Sequence, residues 1–193
     1  MKQAMDESAG ERAGLDFENI VRERFSFLSE FGFSEVEAGP TIIRYRKGRL
    51  GVNVYHGRRS YEIGVELVRG RECFSIELAI GVVDRDAYRK YRVPAARTKS
   101  AIIVSVERQA CVVRTYAEPA LRGKRKFFRQ LESFGEANAR RLAVDSFVAQ
   151  VRPKAAEAFR ERRYADAVTL YESMCDHLTV AESAKLKSAR RRQ

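Results

Sequence analysis

Apolar residues recur at helical spacing near the start of the chain. Leu15, Ile20 and Phe25 fall near the three- and four-residue steps that place side chains on one face of a helix. Gly32 follows this run, and glycine readily adopts the left-handed conformation that ends many helices. The pattern predicts a helix over residues 15–31.

The next segment alternates apolar and polar residues with a period of two, which is typical of half-buried strands. Four such runs follow one another, separated by short glycine-containing turns. Their apolar positions are Ile43 and Tyr45; Val52 and Val54; Tyr61, Ile63, Val65 and Leu67; and Phe74, Ile76, Leu78 and Ile80. Because such turns cannot hold the crossover that parallel strands require, we predict an antiparallel meander.

The middle of the chain contains one ambiguous segment. Residues 84–92 predict a short helix led by Asp84, and residues 94–99 predict a loop. Residues 101–117 include β-branched runs that also suit strands, but sustained three- and four-residue spacing favours a helix. That spacing joins Ile103, Val106, Ala110, Val113, Ala117 and Ala120.

Beyond residue 123 the pattern is helical. We predict helices over residues 124–131 and 136–151, and Pro153 suits the first position of a further helix. Thr179 and Glu182 have the spacing of a capping box, which begins the last helix. The expected fold is therefore α+β, with an N-terminal helix packed on a four-stranded antiparallel meander and an all-helical C-terminal part.

The domain organisation follows from these elements. Residues 1–13 have almost no large apolar side chain and predict a flexible tail. Residues 14–131 form the expected α+β domain, and residues 132–193 form the helical C-terminal region.

Within that C-terminal region, residues 152–191 resemble a tetratricopeptide-type helical hairpin. Tyr164, Ala167 and Tyr171 match the aromatic, small and aromatic positions of that family. The motif occurs once, whereas repeat arrays use about three copies to bury a continuous core. The resemblance leaves two alternatives, a lone packed hairpin or a partner-binding repeat.

The N-terminal part also resembles a group of proteins. It places a helix before a meander that contains Val-x-Val and Tyr-Glu-x-x-Val pieces, the latter beginning at Tyr61. This arrangement is similar to small uncharacterised bacterial α+β proteins, some of them encoded near toxins as immunity factors. The resemblance implies a regulatory or immunity-type binding role.

Composition adds a location and a redox state. No run approaches the roughly 20 apolar residues that span a bilayer, and the first residues have no apolar signal core, so we predict a cytoplasmic protein without membrane contact. Cys73, Cys111 and Cys175 are odd in number and lie among apolar neighbours, which predicts three buried, reduced thiols.

Positive charge is concentrated in the middle of the chain. The formal net charge is +11, and residues 42–98 carry 13 basic and 6 acidic side chains. Such an imbalance attracts acidic proteins or nucleic acid. The candidate binding residues are Arg44, Arg46, Arg58, Arg59, Lys124, Arg125 and Lys126. Neighbouring aromatic residues also suit nucleic-acid binding, although Tyr45, Tyr61, Phe127 and Phe128 are expected to face the core.

Enzymatic patterns are sparse. His56 and His177 have no second ligand at metal-binding spacing, so no metal, cofactor or catalytic site is predicted. Glu62, Glu66 and Glu77 alternate along strands and suggest a metal-dependent nuclease as a third hypothesis. Our leading hypothesis is a non-enzymatic protein that binds an acidic protein partner, and the main alternative is sequence-nonspecific RNA or DNA binding.

Overall fold

The computed structural model describes residues 14–193, so the tail predicted for residues 1–13 lies outside the described residues. The chain divides into two compact units, one ending at Gly135 and the other covering Glu136–Gln193. The first unit contains a sheet and helices, and the second is helical.

Within residues 14–193, five strands form one antiparallel sheet in chain order. The strands are β1 (Ser34–Gly39), β2 (Ile42–Lys47), β3 (Leu50–His56), β4 (Ile63–Arg69) and β5 (Glu72–Ser75). The antiparallel architecture is as predicted, but the sheet has one more strand. Ile43, Val54 and Val65 lie opposite one another on β2, β3 and β4 and are buried, as their alternation predicts.

Helices pack against this sheet in the first unit and form all of the second. They are α1 (Phe17–Arg24), α2 (Ile76–Val83), α3 (Arg85–Lys90), α4 (Lys99–Tyr116), α5 (Glu118–Leu121), α6 (Arg125–Arg160), α7 (Tyr164–Glu172) and α8 (Val180–Arg190). Short 3-10 helices cover Ser26–Phe31 and Cys175–His177.

Helices α1 and α4 supply the cover of the sheet. Val21 of α1 and Ile102 and Val106 of α4 are buried in one core with the apolar residues of the strands. The helical alternative for residues 101–117 is therefore correct, because that spacing turns one continuous apolar face toward the core. The side chain of Asp84 caps α3 by accepting hydrogen bonds from the Asp86 and Ala87 amides.

The first predicted helix is shorter than expected. Helix α1 ends at Arg24, and a 3-10 helix, Ser26–Phe31, carries the chain onward. Gly32 adopts a φ of 80°, which confirms its predicted role as the stop.

The predicted fourth strand is partly wrong. Only residues up to Ser75 form β5, and the chain turns into α2 at Ile76. Two of the alternating residues, Ile76 and Ile80, are also four residues apart, and together with Ala79 they are buried on one helix face. Packing of that face against the core selects the helix.

The additional strand, β1, has no buried apolar face, because Val36 and Ala38 are exposed like the glutamates beside them. Most of its residues are exposed, and its pairing with β2 contains a bulge between Glu35 and Glu37. Charged residues and a bulge are usual on an edge strand because they discourage pairing with other chains. The same features hide the strand from a search for half-buried patterns.

Helix α6 replaces the two shorter helices that the sequence predicts after residue 123. In the first unit, Phe134 is buried, and a side-chain carbon at Gly81 of α2 would lie 2.2 Å from its ring. This close packing holds the segment between the predicted helices in helical form. Pro153 lies inside α6 and not at a helix start, even though it lacks the amide that would bond to the preceding turn.

The second unit has a small, alanine-rich core. Its buried residues include Ala155 and Ala158 of α6, Ala167 and Tyr171 of α7, and Ala189 of α8. Small side chains let helices approach closely, and the Tyr171 ring fills the space beside them.

The burial predicted for Cys73, Cys111 and Cys175 is wrong, because all three are exposed, although they are free of disulfides as predicted. Cys111 shows the reason: its neighbour Ala110 occupies the buried face of α4, so the next residue points outward. Within residues 14–193, no helix is both long and apolar enough to cross a membrane.

Candidate functional site

The seven predicted binding residues fall in three separate places. Arg44 and Arg46 lie on β2, between the edge strand β1 and the central strand β3. Arg58 and Arg59 lie in the turn between β3 and β4, whereas the β2–β3 and β4–β5 turns lie at the opposite end of the sheet. Lys124, Arg125 and Lys126 lie where α6 begins.

Neighbouring residues largely satisfy the two arginines of β2. Arg44 forms an ion pair with Glu37 of β1. Arg46 donates to the side-chain oxygen of Asn53 at 2.8 Å, and Asn53 donates in turn to Glu66 at 2.9 Å. The charge of Arg44 is therefore neutralised within the sheet, and the guanidinium of Arg46 is engaged by hydrogen bonds to neighbouring residues.

A cavity of about 710 Å³ lies where the β2–β3 turn, the end of β4 and the start of α6 meet. We call it the arginine cleft. Four arginines, one carboxylate and an apolar floor line it: Arg49, Arg69, Arg125, Arg129, Glu72, Leu50, Gly123 and Phe128. Positive charge is thus concentrated in one concavity at one end of the sheet.

Sheet register and helix periodicity assemble this cleft. Leu50 pairs with Arg69 across β3 and β4, which places the β2–β3 turn beside the end of β4. Arg125 and Arg129 are four residues apart and so share one face of α6. A side-chain carbon at Gly123 would lie 3.1 Å from Leu50, so the segment before α6 closely approaches the strand.

Arg69 lines the arginine cleft and is held in place by its neighbours. It forms ion pairs with Glu72, at 2.7 Å, and with Glu132. Its guanidinium also lies 5.0 Å from the centre of the Phe128 ring, within reach of a cation–π interaction. The hydrogen bond to Glu72 raises the pKa of Arg69 above its ordinary value, although burial opposes the shift.

The other three arginines of the cleft are not neutralised in this way. Arg49, Arg125 and Arg129 are exposed and form no ion pair or side-chain hydrogen bond with any residue in 14–193. Their planar guanidinium groups can each bind carboxylate or phosphate oxygens through two parallel hydrogen bonds.

The start of α6 adds to the positive potential. The Lys124 carbonyl accepts a hydrogen bond from the Phe127 amide at 3.0 Å, which marks the beginning of the helix. The first amides of a helix lack partners within it and carry partial positive charge. Lys124 and Lys126 are exposed and lie next to Arg125 in the sequence, but they do not line the cleft.

Three of the four aromatic residues near the basic clusters are inside the protein, but Tyr61 is only partly buried and lies before β4, so its predicted place in the core is wrong. Phe127 and Phe128 are buried, as predicted, and so is Tyr45. Burial raises the pKa of Tyr45 to about 12, and the nearby Glu35 carboxylate adds to the shift. The rings of Phe127, Phe128 and Tyr45 are therefore unavailable for stacking on nucleic-acid bases.

The three carboxylates of the nuclease hypothesis do not form a metal-binding cluster. Glu66 accepts a hydrogen bond from Asn53, Glu77 lies on α2 instead of a strand, and Glu62 lies just before β4. Among residues 14–193, no group of three or more His, Cys, Asp or Glu side chains is placed to hold a metal ion. Burial is the main cause of the raised pKa of Tyr55, and all three carboxylates add to the shift.

Sequence reasoning selected Arg125 but passed over Arg49, Arg69 and Arg129 as binding residues. Arg49 and Arg69 both lie at turns on one end of the predicted meander, so hairpin topology already places them together. No local sequence pattern indicates that these two arginines lie close to α6.

Comparison with protein-family models, curated proteins and solved structures finds no match for this chain.

Proposed function

We propose that this protein is a non-enzymatic interaction protein that binds an acidic partner protein through the arginine cleft, with added positive charge from Lys124 and Lys126. The observation that carries the proposal is the presence of three arginines without internal partners, Arg49, Arg125 and Arg129, in a single cavity. A protein that used these side chains only for its own stability would pair them with its acidic residues, as it does with Arg44.

An acidic protein fits this site better than a nucleic-acid strand. A nonspecific single-strand binder combines a basic groove with exposed aromatic rings on which bases stack. Here Phe127, Phe128 and Tyr45 are buried, and Arg58 and Arg59 lie at the far end of the sheet. The site is thus a local basic concavity and not a track for a long backbone.

We further propose that residues 152–191 act as a tetratricopeptide-type hairpin. Burial of Ala167 and Tyr171 between helices supports this resemblance, since the family uses those positions for close helix packing. Tyr164 is only partly buried and forms a hydrogen bond with Arg192 at 3.0 Å.

The arginine cleft can be tested with a labelled polyglutamate peptide and fluorescence anisotropy. We expect the double variant Arg125→Gln/Arg129→Gln to bind about tenfold more weakly than the unchanged protein, a loss of about 1.4 kcal/mol. The matched control, Arg58→Gln/Arg59→Gln, removes the same charge from the opposite end of the sheet. We expect its affinity to change less than about twofold, a difference below about 0.5 kcal/mol.

Two results would contradict the proposal. Equal losses in both double variants would mean that net charge alone, and not the cleft, attracts the peptide. If labelled oligonucleotides bound instead of polyglutamate, with affinity falling about a thousandfold between about 50 and 200 mM salt, the partner would be nucleic acid.

A further inference from the structure

The number of available charges in the arginine cleft exceeds what a single carboxylate needs. A carboxylate carries one negative charge and is satisfied by one guanidinium fork. The cleft offers three guanidinium groups without internal partners, those of Arg49, Arg125 and Arg129. Its own carboxylate, Glu72, already binds Arg69.

A phosphate monoester matches this excess. It carries a charge of about −1.5 to −2 at neutral pH and presents three strong acceptor oxygens. Arg125 and Arg129 approach from one helix and Arg49 from the β2–β3 turn, so a phosphate could be bound from two directions. Arg69, held by Glu72 and Glu132, keeps the wall of the cleft in place.

We infer that the arginine cleft recognises a phosphorylated side chain on the acidic partner protein, an inference that rests on the proposed function. The cavity volume of about 710 Å³ leaves room for a phosphorylated residue and its neighbours. Clusters of arginine are a recurrent means of recognising phosphorylated segments. Burial of Phe127 and Phe128 favours a protein source over a nucleic-acid source for the phosphate.

The test compares three short glycine-flanked peptides that differ only in their central residue: phosphoserine, glutamate or serine. Isothermal titration calorimetry should show the phosphoserine peptide binding at least about tenfold more tightly than the glutamate peptide, a difference of about 1.4 kcal/mol. Its affinity should rise between about pH 5.5 and 7.5, because phosphate loses its second proton near pH 6. The glutamate peptide, with a pKa of about 4.3, should show no such rise.

Two variants separate charge from geometry. Arg49→Gln should remove the preference for phosphoserine, and Arg125→Lys, which keeps the charge but not the planar fork, should reduce it. Arg58→Gln/Arg59→Gln should retain the preference. Circular dichroism melting curves identify any variant that has lost its fold, and a second neutral variant, Arg129→Gln, then replaces it.

The possible failures are distinguishable. Equal binding of the phosphoserine and glutamate peptides overturns the phosphate inference, and retained polyglutamate binding at the cleft leaves the proposed function standing. If neither peptide nor polyglutamate binds, both proposals are overturned. A 5′-phosphorylated oligonucleotide that binds more tightly than the phosphoserine peptide overturns the choice of a protein partner.

Discussion

At the scale of single residues, Gln109 shows how a polar side chain can be part of a core. Its amide is fully buried on α4 and donates to the Ile63 carbonyl at 2.7 Å and to the Tyr91 hydroxyl at 2.8 Å. A buried amide without partners would cost a substantial part of the free energy of folding. Here the hydrogen bonds join α4 to β4 and to the segment after α3.

Replacement of Gln109 by Ala should lower the free energy of unfolding by about 2 kcal/mol, because the Ile63 carbonyl would remain buried without its donor. The smaller change Tyr91→Phe removes only one hydroxyl from the same group, and we expect a loss of about 1 kcal/mol. Urea denaturation followed by circular dichroism measures both values. An unchanged midpoint for Gln109→Ala would show that this network does not stabilise the fold.

At the scale of elements, α8 shows how a helix end is stabilised by its own sequence and by a distant residue. The predicted capping box is present: the Glu182 amide donates to the Thr179 hydroxyl at 3.2 Å, and the Thr179 amide donates to the Glu182 carboxylate at 2.8 Å. Arg152 of α6 also donates to that carboxylate, at 2.7 Å. Burial alone would raise the pKa of Glu182, but the Thr179 and Arg152 contacts hold it below the ordinary value of 4.5.

A lowered pKa in the folded state means that the charged Glu182 stabilises the protein above its ordinary pKa and loses this effect as the pH falls through the folded pKa. We therefore expect Glu182→Gln to cost about 1 kcal/mol at pH 7, a typical value for a helix cap. The difference from the unchanged protein should shrink toward zero below about pH 4. Urea unfolding at both pH values tests this, and a difference independent of pH would rule out the carboxylate as its source.

At the scale of the whole molecule, the two units have cores of different kinds. The core of the first unit contains many large side chains, among them Phe17, Phe25 and Phe128. The core of the second unit relies on alanine together with Tyr171 and Met174. Since stabilisation grows with the apolar area that is buried, the first unit should be the more stable.

This difference predicts that the second unit opens locally before the chain unfolds globally. Amides of α8 should exchange with a lower free energy of opening than amides of β3 and β4. Native-state hydrogen exchange with mass spectrometry at increasing denaturant can separate the two. A single opening free energy shared by both units would contradict the expectation and show that the chain unfolds as one cooperative body.

The locally encoded parts of the fold could be predicted from the sequence. Strands β2 to β4, helix α4 and the caps at Gly32, Asp84 and Thr179 each depend on side chains a few residues apart, so periodicity and capping chemistry are enough to identify them. The antiparallel order of those strands follows from the short turns between them.

Tertiary structure decided the rest. Strand β1 exists because β2 offers it a partner, α2 replaces a strand because its helical face fits the core, and α6 is continuous where Phe134 packs against α2. The arginine cleft is a further case. Arg49 and Arg69 are separated from α6 by a long stretch of sequence, so only the folded chain brings them together with Arg125 and Arg129. The charge of a side chain does not indicate which distant residue will lie beside it.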